Sequence, residues 1–130
     1  MAALSNYAEK LLLDWMMTSG SATRPTSWYV ALFTDSPTDA GTGTEVSGSG
    51  YSRQSATFDA ATSGTGTTAN NNNVVFTAAG GNWGTVSHIG IYDASTSGNL
   101  LWHGAMTTSK IVNDGDSLEF SAGNIDLTIA

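Results

Sequence analysis

Cysteine is absent from the 130-residue sequence. This absence excludes disulfides, thiolate metal sites and a cysteine nucleophile, so stability has to come from packing or from association between chains. Positive charge is also scarce, because Lys10, Arg24, Arg53 and Lys110 stand against eleven acidic residues and leave a net charge of −7. Binding a phosphate backbone or an anionic lipid surface requires clustered Lys and Arg. We therefore expect neither nucleic acid nor a membrane as a partner.

Histidine is equally scarce, and the sequence has only His88 and His103. Neither belongs to the sets that zinc sites or nucleophilic centres need, and half-buried strand histidines are the simpler interpretation. The acidic turns Asp35–Asp39 and Asp114–Asp116 lack the twelve-residue loop with a final Glu that binds calcium. Glycine-rich segments such as Gly64–Gly66 do not open a helix. We predict no catalytic residue, no metal, no cofactor and no enzymatic activity.

The part of the sequence that does carry a clear pattern begins with an amphipathic segment. Its apolar residues recur at helical spacing, Ser5 or Asn6 is suited to cap the first turn, and Gly20 follows as a stop. The pattern predicts one helix over residues 4–19, whose apolar face is covered by its own domain or by a partner. That face comprises Leu4, Tyr7, Ala8, Leu11, Leu12, Trp15 and Met16.

After the helix the period changes to two. Residues 28–33 are apolar on both faces, as in a buried strand, and turn residues separate the segments that follow. The polar tract 59–73 predicts a mobile or partner-ordered loop, and Asn113–Asp116 predicts a hairpin turn. We expect one domain over 1–130, with an antiparallel β-sandwich or jelly-roll-like barrel over 27–130. The predicted strands are 28–33, 51–58, 74–76, 85–92, 100–105, 110–112, 117–120 and 125–129.

Tryptophan supplies the remaining candidates for recognition. Trp15, Trp28 and Trp102 lie in apolar patterns that predict core positions, whereas glycines flank Trp83 on both sides. A loop tryptophan of this kind can stack on a sugar, although coverage of the core is the commoner role. The candidate interaction residues are Leu4, Tyr7, Leu11, Trp15 and Trp83.

The order of several motifs along the chain resembles a family of small tailed-phage virion proteins that are often labelled tail-fibre-like. The resemblance runs over nearly the whole chain and carries no catalytic residue onto it. Its motifs are residues 4–12, 29–34 with 37–39, 44–48 with 50–54, 83–93, 98–104 and the closing acidic turn.

This resemblance implies a structural protein of the phage particle. Proteins of this size and pattern also resemble capsid decoration, or cement, proteins, and the sequence shows neither a repetitive fibre shaft nor a large tip domain. We therefore expect a decoration protein on the head surface that stabilises the shell, bound to the major capsid protein or other virion proteins, as a homo-oligomer (dimer or trimer). The alternative is a tail- or fibre-associated protein that contributes to host-surface attachment through Trp83.

Overall fold

Nine β-strands and one α-helix form the regular structure of residues 2–129, the part of the chain that the computed structural model describes. The mainly β fold with one N-terminal helix confirms the predicted fold class, and its sheets stay open instead of closing into a barrel. In chain order the elements are β1 (Ala2–Leu4), α1 (Asn6–Met17), β2 (Tyr29–Phe33), β3 (Gln54–Ser55), β4 (Thr67–Ala69), β5 (Val74–Thr77), β6 (Gly84–Tyr92), β7 (Leu100–Val112), β8 (Ser117–Phe120) and β9 (Asp126–Thr128).

Five strands form the main sheet in the order β1-β7-β6-β2-β3, and every pair in it is antiparallel. Two antiparallel ribbons, β4 with β9 and β5 with β8, complete the fold. The register places Val30 opposite Ile91, and Ile91 opposite Trp102. Side chains on neighbouring strands at one register point to the same side, so these three residues share the inner face of the sheet.

The core lies between this inner face and the two ribbons. Val30 and Leu32 of β2 are fully buried there against Val74 and Phe76 of β5. Their spacing of two residues follows from the pleat of a strand. Burial of such apolar side chains is the main favourable contribution to folding. The other buried members are Val46, Ala56, Ala78, Trp83, Val86, Ile91, Val112, Leu118, Ile125 and Leu127.

The outer face of β2 is buried as well, in a second and smaller cluster. Ala31 and Phe33 pack there with Tyr92 and Leu100, and the rings of Phe33 and Tyr92 stack with centroids 6.4 Å apart. Gly90 lies between them, where a Cβ would come within 3.0 Å of the Phe33 ring and of Leu100. Because both faces of β2 are covered from Val30 to Phe33, the prediction of a largely buried strand is confirmed.

The helix is shorter than predicted. Residues 2–4 pair with β7, and Leu4 lies opposite Trp102, so it belongs to a strand and not to the helical face. Ser5 is the N-cap: its Oγ accepts a hydrogen bond from the Ala8 N–H at 3.1 Å. At the other end Thr18 leaves the helical conformation and donates its hydroxyl to the Asp14 carbonyl. That bond replaces a helical one and ends α1 before Gly20.

The polar tract 59–73 is not a featureless loop. It contains β4, whose backbone pairs with β9, and Asn70, which is 1% exposed. The Asn70 side chain accepts from the Ile125 N–H at 2.8 Å and donates to the carbonyls of Asn72 and Ser121. The tract is therefore ordered by hydrogen bonds to residues distant in sequence, and the spacing of apolar residues does not reveal such bonds.

The turn at Asn113–Asp116 forms, but it does not make a hairpin. Gly115 adopts a positive φ of 85°, as an Asp-Gly turn requires, and the Asp116 N–H donates to the Asn113 carbonyl. The strands on either side of the turn belong to different sheets, since β7 pairs with β6 and β8 pairs with β5. The turn thus carries the chain from one layer of the sandwich to the other. Of the strand predicted over 51–58, only Gln54–Ser55 forms ladder pairs.

Candidate functional site

The last turns of α1 carry the largest exposed apolar surface in the described chain. Leu13 is 58% exposed, Trp15 68%, Met16 59% and Met17 75%. We call these four residues the helix tip. Isolated apolar residues are common on protein surfaces, but here four large ones occur within five consecutive positions. No helix within residues 2–129 is long and apolar enough to cross a membrane.

The helix tip is exposed because the helix runs past the sheet on which it packs. Ala8 is buried and Leu11 and Leu12 are half-buried, whereas Trp15 is open although it lies seven residues after Ala8 on the same face. Leu13 and Met17 lie on the opposite side, so the last turn exposes apolar side chains on more than one side, with Asp14 between them. Of the two alternatives for the helical face, coverage by its own domain does not apply to Trp15, and coverage by a partner stays a prediction.

The other candidate residues of the helical face are divided among different surroundings. Leu4 is half-buried in β1 opposite Trp102, and Leu11 is half-buried on the sheet side of α1. Tyr7 is 40% exposed and lines a separate cleft of about 390 Å³ with Asp39 and Arg53. The structure therefore does not bring these residues together with Trp15 into one continuous stripe.

Trp83 is not a surface platform. It is 7% exposed, its ring packs edge-on against Tyr51 at 5.5 Å between centroids, and its indole N–H donates to the Ser49 carbonyl at 3.1 Å. A flanking glycine is required by the backbone conformation instead, because Gly84 has a positive φ of 81° that other residues rarely adopt. Trp83 covers the core, the commoner of the two roles considered for it, and the surface recognition kept as the other role is not supported by its position.

A polar cluster around Arg53 joins separate loops to the main sheet. The guanidinium donates twice to Glu45, from Nε at 2.9 Å and from Nη2 at 2.8 Å, and its Nη1 donates to the carbonyls of Ala94 and Ser97. Its Cζ lies 3.7 Å above the centre of the Tyr92 ring. Because the Arg53 side chain is only 8% exposed, these contacts hold a nearly buried charge.

Tyr51 connects the same cluster to β2. Its hydroxyl donates to Glu45 at 2.7 Å and accepts from the Leu32 N–H at 3.0 Å. Burial raises the pKa of Glu45, but the hydrogen bonds from Arg53 and Tyr51 and the charge of Arg53 outweigh it and leave that pKa below its ordinary value. Burial and the bond to Glu45 raise the pKa of Tyr51. Tyr51 therefore remains a hydrogen-bond donor. The charges of Arg53 and Glu45 are paired with each other, and the cluster stabilises the loops against the main sheet.

A third feature is a cleft at the boundary between the main sheet and the β4–β9 ribbon. It has a volume of about 280 Å³, and Trp28, Phe58 and Trp102 line it, each half-buried. Thr68 and Leu127, which pair across the ribbon, form its other wall. Asp59 stands at the same cleft and is exposed. We call this the aromatic cleft, and the remaining lining residues are Ile91 and Leu101.

The histidines and the acidic turns have local structural partners. His103 Nε2 lies 2.7 Å from Asp39 Oδ1, and His88 Nδ1 lies 2.8 Å from the Ser87 hydroxyl. Both histidines are half-buried in strands, as predicted. Asp116 and Asp114 accept backbone N–H groups from Asn113 and Gly80. Bonds of this kind stabilise turns and leave these carboxylates engaged with the backbone.

The aromatic cleft and the Arg53 cluster were missed at the level of sequence. Trp28 and Trp102 are 74 positions apart, and only the strand order β7-β6-β2 brings them to one face. Arg53 and Glu45 are eight residues apart in a loop region without periodicity, so spacing did not indicate a pair. A usable signal was that Arg53 is one of only four cations and follows Tyr51 closely.

The structure shows a β-domain with an apolar helix end, and positions 2–129 contain no group of three or more His, Asp or Glu side chains placed to hold a metal ion. A family model described as podophage GP4 fiber I protein gp80 matches residues 3–128. The chain belongs to this family, and the predicted membership among small tailed-phage virion proteins is confirmed. A search of curated proteins finds no match.

The family places the chain in the phage virion in a structural role. It does not confirm the capsid decoration role or the head surface that the sequence led us to expect. The family is described as a fibre protein, which agrees better with the alternative of a tail- or fibre-associated protein. The expectation of a head location had rested on the lack of a repetitive shaft, and that lack does not distinguish a cement protein from one small subunit of a larger fibre assembly.

Proposed function

We propose that the protein is a structural, non-enzymatic subunit of a phage tail fibre and contributes to attachment to the host surface. The observation that carries this proposal is the match of residues 3–128 to a fibre protein family, which extends over nearly the whole chain. The net charge of −7 and the four dispersed cations agree with it, since they disfavour a role in holding DNA.

The helix tip is the surface through which the subunit joins other copies of itself. Its four side chains expose roughly 500 Å² of mostly apolar surface, if each offers about 200 Å² when fully open. Two copies that cover this patch on each other would bury roughly 1,000 Å², which is about the lower limit for a specific interface. The exposed apolar area is thus large enough for self-association.

Charge also favours a second copy at this position. Two chains with a net charge of −7 repel each other over most of their surfaces. The helix tip includes one charged neighbour, Asp14, and Lys10 pairs with it across one helical turn. The end of α1 is therefore a locally neutral, apolar region of an acidic molecule, and copies approach there with the least repulsion.

Labelling of intact particles tests the location. Gold-conjugated antibody against the purified protein is expected on the tail apparatus, and particles that lack the protein are expected to adsorb poorly to host cells while their heads keep normal resistance to heat. Label on the head, together with normal adsorption and premature genome loss on heating, would overturn the fibre proposal and restore the cement role.

Sedimentation of purified protein tests the self-association. The wild type is expected to form an oligomer, and a double variant, Trp15→Ser with Met16→Ser, is expected to sediment as a monomer. Ile111→Ser is the matched control, because Ile111 is 67% exposed on β7, away from the helix. A wild-type monomer at every concentration, or equal loss of assembly in the control, would contradict assembly through the helix tip.

A further inference from the structure

We propose that the aromatic cleft binds a neutral pyranose unit of a host-surface saccharide. This inference names a ligand for the attachment role and so rests on the proposed function, although its test does not depend on it. The starting observation is that Trp28, Phe58 and Trp102 are only partly buried: they pack against the core and also line one cleft. An apolar cleft with a few polar groups is the usual form of a small-ligand site.

The indole N–H groups of Trp28 and Trp102, two of the residues that line the cleft, are available to donate. Trp83 donates its indole N–H to Ser49, but neither Trp28 nor Trp102 has an acceptor among residues 2–129. No side-chain polar atom in this part of the chain is both buried and without a partner. Both N–H groups are therefore not fully buried, so each can donate a hydrogen bond to a ligand hydroxyl without losing a bond within the protein.

Asp59 supplies an acceptor that is held in place at the same cleft. Its backbone N–H donates to the Ala69 carbonyl at 3.1 Å, its carbonyl accepts from the Thr68 hydroxyl, and its Oδ1 accepts from the Asn71 amide at 3.1 Å. Its Oδ2 has no partner within residues 2–129. A positioned carboxylate oxygen accepts strong hydrogen bonds from hydroxyl groups, and the fixed backbone limits the entropy lost on binding.

These groups together match the chemistry of a sugar ring. A pyranose has an apolar C–H face that packs on aromatic rings, and hydroxyls at its edge that both donate and accept. The cleft volume of about 280 Å³ is suited to one ring, because pockets for larger ligands begin near 300 Å³. Asp59 and the net charge of −7 disfavour acidic sugars. A quaternary ammonium would also contact aromatic rings, but it has no acceptor for the two indole N–H groups.

Binding measurements with simple glycosides test this inference. The probes are the methyl pyranosides of glucose, galactose, mannose and N-acetylglucosamine, followed by saturation-transfer NMR and by tryptophan fluorescence. Methyl glucuronide and choline chloride are the comparison ligands. At least one neutral glycoside is expected to bind, and neither comparison ligand is expected to do so at the same concentration.

Variants locate the binding site. Asp59→Asn retains the shape of the side chain but removes the charged acceptor, so it is expected to weaken binding about tenfold. Trp28→Phe removes one donor and is expected to weaken it as well, with an unchanged melting temperature as evidence of folding. Trp15→Phe, on the helix tip, is the matched control and is expected to bind like the wild type.

Three results would overturn the cleft as a saccharide site: no binding of any neutral glycoside, equal binding by both cleft variants, or preference for choline or glucuronide. None of these results bears on the fibre proposal, which the labelling experiment tests separately. Conversely, glycoside binding by a protein that labels the head would leave the cleft intact and reject the fibre role.

Discussion

The Arg53 cluster and the helix tip differ in whether their side chains find partners within the same chain. Arg53 is nearly buried, and Glu45, Tyr92 and two backbone carbonyls surround it. Trp15, in contrast, is a large apolar side chain that is 68% exposed. The side chains of the Arg53 cluster therefore have their partners within one chain, whereas those at the end of α1 do not. Changes in the first region should affect folding, and changes in the second should affect assembly.

The largest effect is expected from Arg53→Ala. The substitution leaves Glu45 half-buried without its partner and removes the bonds that hold the segment 94–97, so the free energy of unfolding should fall by about 3–5 kcal/mol. Urea denaturation measures the change. Lys10→Ala is the control, since its ion pair with Asp14 is exposed and worth about 0.5 kcal/mol or less. Equal stability of the two variants would mean that Arg53 does not tie the loops together.

A smaller loss of stability is expected from Ser5→Ala. Ser5 is 1% exposed, caps α1 by accepting from the Ala8 N–H, and donates its hydroxyl to the Leu100 carbonyl. Removal of an N-cap costs about 1–2 kcal/mol. Thr18→Ala, at the exposed far end of the helix, is the comparison and should cost less. If the two ends prove equally sensitive, the helix is not anchored to the sheet at Ser5 in the way described.

Acid is expected to weaken the Arg53 cluster selectively. The pKa of Glu45 in the folded protein lies below its ordinary value of 4.5, so its contribution to stability is present above about pH 4.5 and is lost as the pH falls through the lower, folded pKa. Between pH 6 and pH 3 the melting temperature of Glu45→Gln should therefore fall less steeply than that of the wild type. Parallel decline in both proteins would show that other carboxylates account for the acid sensitivity.

The sequence predicted those features that depend on local pattern. The alternation in β2 indicated two buried faces, and both are buried. Ser5 was one of two candidate caps, and it is the one that caps α1. The tract 59–73 was misread because β4 and Asn70 are ordered by partners more than fifty positions away, which composition does not report. Helical periodicity placed Trp15 on the same face as Ala8, but it carries no information on where the sheet beneath that face ends.

The smallest effect on folding is expected from Trp15→Ser. This variant also tests most directly whether the helix tip, unlike the Arg53 cluster, contributes to assembly and not to folding. Because Trp15 is 68% exposed, its replacement should change the free energy of unfolding of the monomer by no more than about 0.5 kcal/mol. The measurement is denaturation at a concentration low enough to dissociate any oligomer, since association otherwise adds to the apparent stability. At high concentration the same variant should melt earlier than the wild type, because it loses the stabilisation that assembly provides. A loss of about 2–5 kcal/mol at low concentration is instead the result expected for a buried side chain. It would mean that the domain itself covers Trp15, and the proposed assembly through the helix tip would then be rejected.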